Sequence, residues 1–422
     1  MIALHLVLAV AVILALAYVL GEVARRLRQP AVIGHLLAGI VLGPSLLGAL
    51  SGHLTKTLIP LDARHDLSLL AQFALILFMF SLGAELDRRE LRRRAHAIPL
   101  VATATFVVPL ALGAAAALSL RHWYKPAGTP VSAFVLFLAV AVAITALPVL
   151  ASIVREHRLT QSVPAAIAMT SAALCDAVGW LLLTIALLEA RVGKGRSWTT
   201  TVGLLAAYAL AMVVIVRPAL KAWLRRPSRS PHLRIVVVTA VAVASGWVTT
   251  ALGVHAVLGA FFAGLLLPRR RDGEAAGEVI APIRAAGVLL LPLFLTLSGL
   301  STNIGALNAR DVVAFVVVCS IAVIGKLGVG WAAARAAGLS GRDSAMVGSL
   351  LNTRGVTELI VLSVGLKAGV IDGRLYTVFV LMALVTSAAT GPMLTAIRRN
   401  EDRAQLLARR PGGALAGGVT RT

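Results

Sequence analysis

The sequence predicts an all-α polytopic membrane protein of about thirteen transmembrane helices, and three observations carry that prediction. The 422-residue chain is 59% hydrophobic, and its mean hydropathy of +0.89 lies far above that of a soluble globular protein. Apolar runs of about 18 residues or more, long enough to cross a bilayer as helices, recur from end to end. No polar stretch is long enough for a separate soluble domain. The longest, residues 397–422, is rich in Arg and Gly and is expected to be a short, disordered cytoplasmic tail.

Taken in order, the apolar segments fall at about 2–20, 31–49, 67–84, 98–120, 132–154, 163–189, 199–216, 235–250, 254–267, 282–298, 312–334, 344–366 and 375–396. The start, MIALHLVLAV, lacks a basic n-region and a small-residue cleavage site, so it reads as a retained first helix. Cys175 and Cys319 both fall inside apolar segments and form no disulfide framework.

The net charge of +22 raises the question of nucleic acid, but its distribution answers otherwise. With the N-terminus outside, the inner loops and tail hold 28 Lys and Arg against ten in the outer loops. That asymmetry follows the positive-inside rule and places the C-terminus in the cytoplasm of a multi-pass plasma- or inner-membrane protein. No basic patch is interleaved with aromatics, so no nucleic-acid partner is expected.

Most of the eighteen acidic residues lie in loops, and Asp176 is the exception. It has thirteen residues on each side within segment 163–189 and no basic residue within a turn. A carboxylate at that depth costs roughly 2.5–3.5 kcal/mol on insertion scales and usually marks an ion or proton path. One buried carboxylate that holds either a proton or a metal cation, never both, is the minimum machinery for exchange. The bland reading is a carboxylate that merely caps a neighbouring helix. Lys326, the 15th residue of segment 312–334, is a second buried charge. An ammonium there needs a partner, and Asp176 is the expected one, either in transport or as a purely structural ion pair.

Two apolar segments are interrupted. In AVAITALPVLASIV (141–154), Pro148 removes one backbone N–H and crowds the carbonyl at residue 144. Carbonyls near Ile144 and Thr145, with the Thr145 hydroxyl, would then be hard oxygen ligands suited to an alkali cation. The alternative is an ordinary proline kink. In LLNTRGVTELIVL (350–362), the run Asn352-Thr353-Arg354-Gly355 breaks the apolar pattern. Arg354 and Glu358 are spaced i, i+4, and the favoured reading is that they hold the core together rather than carry ions. The two breaks lie in the fifth and twelfth segments. Segments 1–6 and 8–13 would form two halves offset by seven, and an odd offset inverts the second half. Breaks at equivalent positions of inverted halves point to a transport site at the midplane.

These stretches resemble the monovalent cation:proton antiporter-2 family, which includes the Kef potassium efflux proteins, the NapA-type exchangers and the plant cation/proton exchangers. The resemblance runs along nearly the whole chain: QPAVIGHLLAGIVLGPSLLG (29–48), ELDRRELRRR (85–94), ITALPVLASIV (144–154), GVHAVLGAFFAGLLLPR (253–269), LPLFLTLSGLSTNIGAL (291–307) and NTRGVTELIV (352–361). It implies an NhaA/NapA-like fold within residues 1–396. A dimerisation part would comprise about 1–84 and 235–298, a transport core about 98–189 and 312–396, and a linker helix about 199–216. It implies a homodimer, an elevator-type movement of the core, Asp176 as shared cation and proton carrier, and the matching Lys326 and Thr145.

The residue before the aspartate departs from the family pattern of Asp, Asn or Gln; here it is Cys175. A thiol is a poor ligand for a hard alkali ion and reads equally as a small packing residue. A single carboxylate favours electroneutral exchange, with Lys326 as an alternative second titrating group. No Gly-rich βαβ pattern follows the last segment, so control by a fused nucleotide-binding domain is not expected, while a separate regulatory subunit is left open.

The sequence therefore predicts a proton-coupled antiporter of sodium or potassium that needs no cofactor. A sodium-coupled symporter of an organic anion would need more Asn, Gln and Ser in the core segments. A non-transporting subunit or sensor, with Asp176 and Lys326 as a locked pair, is the third reading. No nucleophile, base and orienting group converge as in an enzyme, and His255 reads as a membrane-end histidine.

Overall fold

The computed structural model describes residues 2–27, 29–50, 61–85, 96–190, 198–226, 230–253, 255–268 and 274–408. The chain is helical almost throughout: α1 (Ile2–Arg26), α2 (Ala31–Leu42), the single turn α3 (Leu47–Leu50), α4 (Leu61–Glu85), α5 (Ala97–Tyr124), α6 (Val131–Ala143), α7 (Leu147–Glu156), α8 (Val163–Ala190), α9 (Trp198–Ala211) and α10 (Arg217–Leu224). It continues with α11 (Pro231–Ala251), α12 (Ala256–Leu266), α13 (Glu274–Leu300), α14 (Ala309–Val323), α15 (Val329–Ala336), α16 (Gly341–Leu351), α17 (Val356–Lys367) and α18 (Gly373–Ala408). π-Helical turns at Met212–Val216 and Ile324–Gly328 join α9 to α10 and α14 to α15. Among the described residues, ten helices are long and apolar enough to cross a membrane.

Local chemistry sets the helix starts. Ser230 accepts the Leu233 N–H ahead of Pro231, and Ser340 accepts the Asp343 N–H. Asn308 and Asp311 form a capping box at α14, in which each side chain accepts a backbone N–H of the other. The ends often lie beyond the apolar stretches: α1 runs to Arg26, α4 begins at Leu61, and α13 begins at Glu274. Charge marks where a helix leaves the apolar layer, but Arg, Lys and Glu are good helix formers and do not end it. For the same reason residues 397–408 continue α18, which corrects the expectation of a disordered tail over that stretch. The basic run 85–94 lies almost wholly outside the described residues.

The helices pack in two groups. In the first, α4 lies against α12 and α13, α2 against α1 and α13, and α11 against α12. Glycines allow the close approaches: a Cβ on Gly39 would lie 2.0 Å from the Thr296 carbonyl, and one on Gly264 2.0 Å from that of Phe80. In the second group, α6 is wrapped by α5 and α8, α16 packs on α8 and α15, and α18 on α14 and α16. Between the groups the contacts are sparse, chiefly α13 with α17 and α2 with α18. The α9–α10 span joins them in sequence and has only 6% of its apolar stretch buried. It is pinned by a hydrogen bond between the Tyr208 and Ser245 hydroxyls.

Candidate functional site

Both interrupted segments are true breaks, and they meet. α6 stops at Ala143, and Ile144 takes up an extended backbone conformation. In a continuous helix the Ile144 carbonyl would accept the N–H of residue 148, which Pro148 lacks. Among the described residues no donor reaches that carbonyl. The second break spans 352–355 and turns on Gly355, whose φ of +144° a side chain would strain. The Ala146 N–H donates to the Thr353 carbonyl at 3.2 Å. The Thr357 hydroxyl donates to the Thr145 carbonyl at 3.3 Å. Each break thus satisfies part of the other's backbone, which is how non-helical chain survives inside an apolar bundle.

A helix end leaves carbonyls without partners and carries partial negative charge. At the end of α6, two fully buried cations take them. Arg354 donates to the carbonyls of Ala141 at 3.0 Å and Val142 at 2.5 Å. Lys326 donates to that of Ala143 at 2.5 Å and to the Thr105 carbonyl of α5 at 2.8 Å. Lys326 sits in the π-helical turn 324–328, a distortion often found at functional sites. Its ammonium is therefore spent on carbonyls. No ion pair within 4 Å joins it to Asp176, so the direct contact expected from sequence does not form and the two charges act through space.

Asp176 lies on the other side of the break. It is 2% exposed and is directed at the backbone of Thr145 and Leu147, where α7 begins. That end of α7 carries the positive pole of its dipole. Neither carboxylate oxygen has a hydrogen bond of ordinary geometry, and the buried Thr145 hydroxyl oxygen has none either. Buried polar groups are nearly always partnered, so a carboxylate and a hydroxyl left open at one place call for an explanation. One turn along α8, Gly179 makes room for the Ile144 side chain: a Cβ there would come within 2.7 Å of Ile144 Cγ1.

The remaining candidates fall around this centre. Cys175 clusters with Ala102, Phe106 and Ala143, the last residue before the break, its thiol donating weakly to the Ala102 carbonyl at 3.5 Å. Arg354 and Glu358 approach to 3.6 Å, as their spacing predicted. Yet both Glu358 oxygens lack a hydrogen bond, as does the Arg354 Nε, while the two Arg354 Nη atoms donate to α6. The Arg354 backbone is clasped by Ser387, which accepts its N–H at 3.0 Å and donates to its carbonyl at 2.6 Å. Asn352 donates to the Thr386 carbonyl at 3.4 Å. Sequence reasoning missed Thr386 and Ser387, although two adjacent hydroxyls inside the apolar run LMALVTSAAT were a usable signal. His255 is the cap of α12, its Nδ1 accepting the Val257 N–H at 3.4 Å. Among the described residues no group of three His, Cys, Asp or Glu is placed to hold a metal ion.

A cavity of about 280 Å³ opens where α17 faces α4 and α13, between the two helix groups. Gln72, Ser298, Ser363 and Lys367 line it; Asp176 does not.

Two broken helices that meet at buried charges inside an apolar bundle define a class: secondary membrane transporters. The chain belongs to the sodium/hydrogen exchanger family, whose transmembrane region it matches over residues 10–399. It is 34% identical over 393 residues to the Na⁺/H⁺ antiporter NhaS4 of Synechocystis sp., a match covering 92% of this chain and 95% of that one. It is 32% identical to cation/H⁺ antiporter 18 of Arabidopsis thaliana, over 94% of this chain and 50% of that one. It is 30% identical to the K⁺/H⁺ antiporter 1 of Saccharomyces cerevisiae, over 87% and 43% respectively. The chain thus spans about half the length of the plant and yeast relatives. Its fold is shared with the sodium proton antiporter MjNhaP1 of Methanocaldococcus jannaschii, with a TM-score of 0.66 at 15% identity over 97% of this chain and 99% of that one.

Proposed function

We propose that the protein exchanges protons for sodium or potassium ions across a cell membrane, using Asp176 as the shared carrier. The observation that carries this reading is the buried Asp176 carboxylate, neither oxygen of which has a hydrogen bond of ordinary geometry, directed at the break at Thr145, whose hydroxyl is unpartnered as well. Together they offer hard oxygen ligands to a partly dehydrated alkali ion. A proton on the carboxylate removes the charge that attracts the ion, so the two compete.

The cycle needs no other chemistry. Asp176 faces one side, releases its proton and takes a cation with Thr145 and Ile144. The core then shifts, the cation leaves on the other side, and protonation permits the return. The sparse contacts between the two helix groups support movement of one past the other as an elevator. Thirteen crossings result if each broken segment and the short α12 span the bilayer, and the meeting of the two breaks supports an inverted pair of halves. The exposed apolar faces of α1 and α11 support a homodimer. The excess of Lys and Arg on one set of loops supports an outer N-terminus and a cytoplasmic C-terminus.

A single carboxylate facing the break supports one proton per cation, provided Lys326 keeps its charge through the cycle. Asp176 and Glu358 balance Lys326 and Arg354, and Cys175 adds no charge. A bound cation and a bound proton then leave the core with the same net charge, so exchange is electroneutral.

The test uses purified protein in liposomes with an imposed pH gradient and a pH-sensitive dye, with sodium or potassium added to wild type and to Asp176→Asn. Collapse of the gradient by a cation in wild type but not in a folded Asp176→Asn supports the reading and reports selectivity. A well-folded wild type that responds to neither ion overturns it.

A further inference from the structure

The cavity between α4, α13 and α17 has an uneven charge that the exchange cycle leaves unexplained. Its polar wall is built of neutral groups, among them Gln72, Ser298 and Ser363. Among the described residues, its ionisable members are His255 and Lys367, and it holds no carboxylate. The His255 Nδ1 accepts the Val257 N–H, so the neutral imidazole is the form that caps α12. Lys367 is exposed at the last turn of α17 and supplies the fixed positive charge. A path for cations would ordinarily be lined with negative charge, since a cleft with low-dielectric walls concentrates the field of its lining residues. This cleft concentrates the opposite field.

We infer that this cavity is the cation's way to the core from one face of the membrane, and that Lys367 in its wall weakens cation binding from that face. The inference rests on the antiport reading and goes one step further, to which face binds the ion tightly. At the intermediate dielectric of a wet cleft, a single fixed charge changes the local cation concentration about threefold to tenfold at points within about 10 Å of it. The charge repels protons as well as metal ions. It therefore raises the half-saturating concentration of both on that face and leaves the equilibrium of a one-for-one exchange unchanged. Positive-inside orientation makes that face the outer one, so the device suits release of the cation there.

A plainer role exists. A lysine in the last turn of a helix complements the helix dipole, and such a lysine would affect folding without regard to membrane face. The experiment separates the two. Exchange is measured in vesicles with the cation presented to each face in turn, for wild type, Lys367→Gln, Lys367→Glu and Arg374→Gln. Arg374 lies near the same end of the bundle but outside the cavity wall. At alkaline pH, where protons do not occupy the carboxylate, the expected result is a fall of about threefold in the KM for the cation on one face with Lys367→Gln. Lys367→Glu falls further, kcat is unchanged, the opposite face does not respond, and Arg374→Gln resembles wild type. The difference should vanish near 1 M of a salt whose cation is not transported, where the screening length is about 3 Å. A KM that is unchanged, that changes equally on both faces, that falls as much in Arg374→Gln, or that survives high salt overturns the inference while leaving antiport standing. A wild type that exchanges no cation overturns both.

Discussion

Lys326 and Arg354 terminate the same half-helix, the ammonium on the Ala143 carbonyl and the guanidinium on those of Ala141 and Val142. Three successive orphan carbonyls at the end of α6 are thereby closed by two side chains from different elements, one on the π-helical turn after α14 and one in the second break. The cations stabilise the break itself, and the Lys326 charge reaches Asp176 only across space.

That division of labour separates the effects of charge removal on stability. Lys326→Met strips donors from the Ala143 and Thr105 carbonyls, and a hydrogen bond to a charged group is worth about 1.5–3 kcal/mol. It should lower thermal stability in detergent micelles by several degrees. Asp176→Asn removes no hydrogen bond of ordinary geometry and should melt within a degree or two of wild type while abolishing exchange. Equal destabilisation by the two substitutions would mean that they form a locked pair after all.

Arg354 and Glu358 should also behave unequally. Arg354→Met uncovers two carbonyls and leaves the buried Glu358 without its positive neighbour, a change of the kind that costs about 3–5 kcal/mol. Glu358→Gln alone should cost under about 1 kcal/mol, because Arg354 is held by α6 and by Ser387 rather than by the carboxylate. Adding Glu358→Gln to Arg354→Met should recover part of the loss. Thermal melts of the three variants read this directly, and a large cost for Glu358→Gln alone would restore the ion pair as the main tie.

Gly355 is required for two reasons that act together. Its φ is +144° and a Cβ would stand 2.8 Å from Val149 Cγ2. Strained backbone of this kind costs about 1–3 kcal/mol. Gly355→Ala should therefore lose stability, and adding Val149→Ala should recover only the steric share. Full recovery in the double variant would show that the backbone conformation is not limiting.

Gly179 and Ile144 are coupled by contact. A methyl group at 179 meets Ile144 Cγ1 at 2.7 Å, so Gly179→Ala displaces the first residue of the break, next to the Thr145 backbone that Asp176 faces. The expected outcome is a rise in the KM for the cation with little change in kcat. Ile144→Ala in the same chain should relieve it, with an interaction of about 0.5–3 kcal/mol in a double-mutant cycle. Additive effects would place the two residues out of contact.

Cys175→Ala should exchange within about twofold of wild type, since the thiol packs among Ala102, Phe106 and Ala143 and donates only weakly, at 3.5 Å, to the Ala102 carbonyl. Loss of exchange in a folded Cys175→Ala would make the thiol part of the ion path.

The sequence by itself determined the membrane class, because continuous apolar runs admit no other solvent. It also located the breaks, because Pro148 cannot donate an N–H and Asn352–Gly355 cannot extend an apolar helix. Asp176 stood out for the same kind of reason: a lone carboxylate at mid-segment is costly wherever the chain folds. Partners were another matter. Lys326 was assigned to Asp176 by sign of charge, yet sequence holds no record that the carbonyls of α6 would end beside a lysine from a segment about 180 residues later. Nor does it show that Ser387 would clasp Arg354 or that Gly179 would accept the Ile144 side chain. Charge and periodicity are properties of one segment. Which donor meets which acceptor depends on how two broken helices cross, and only the tertiary packing decides that.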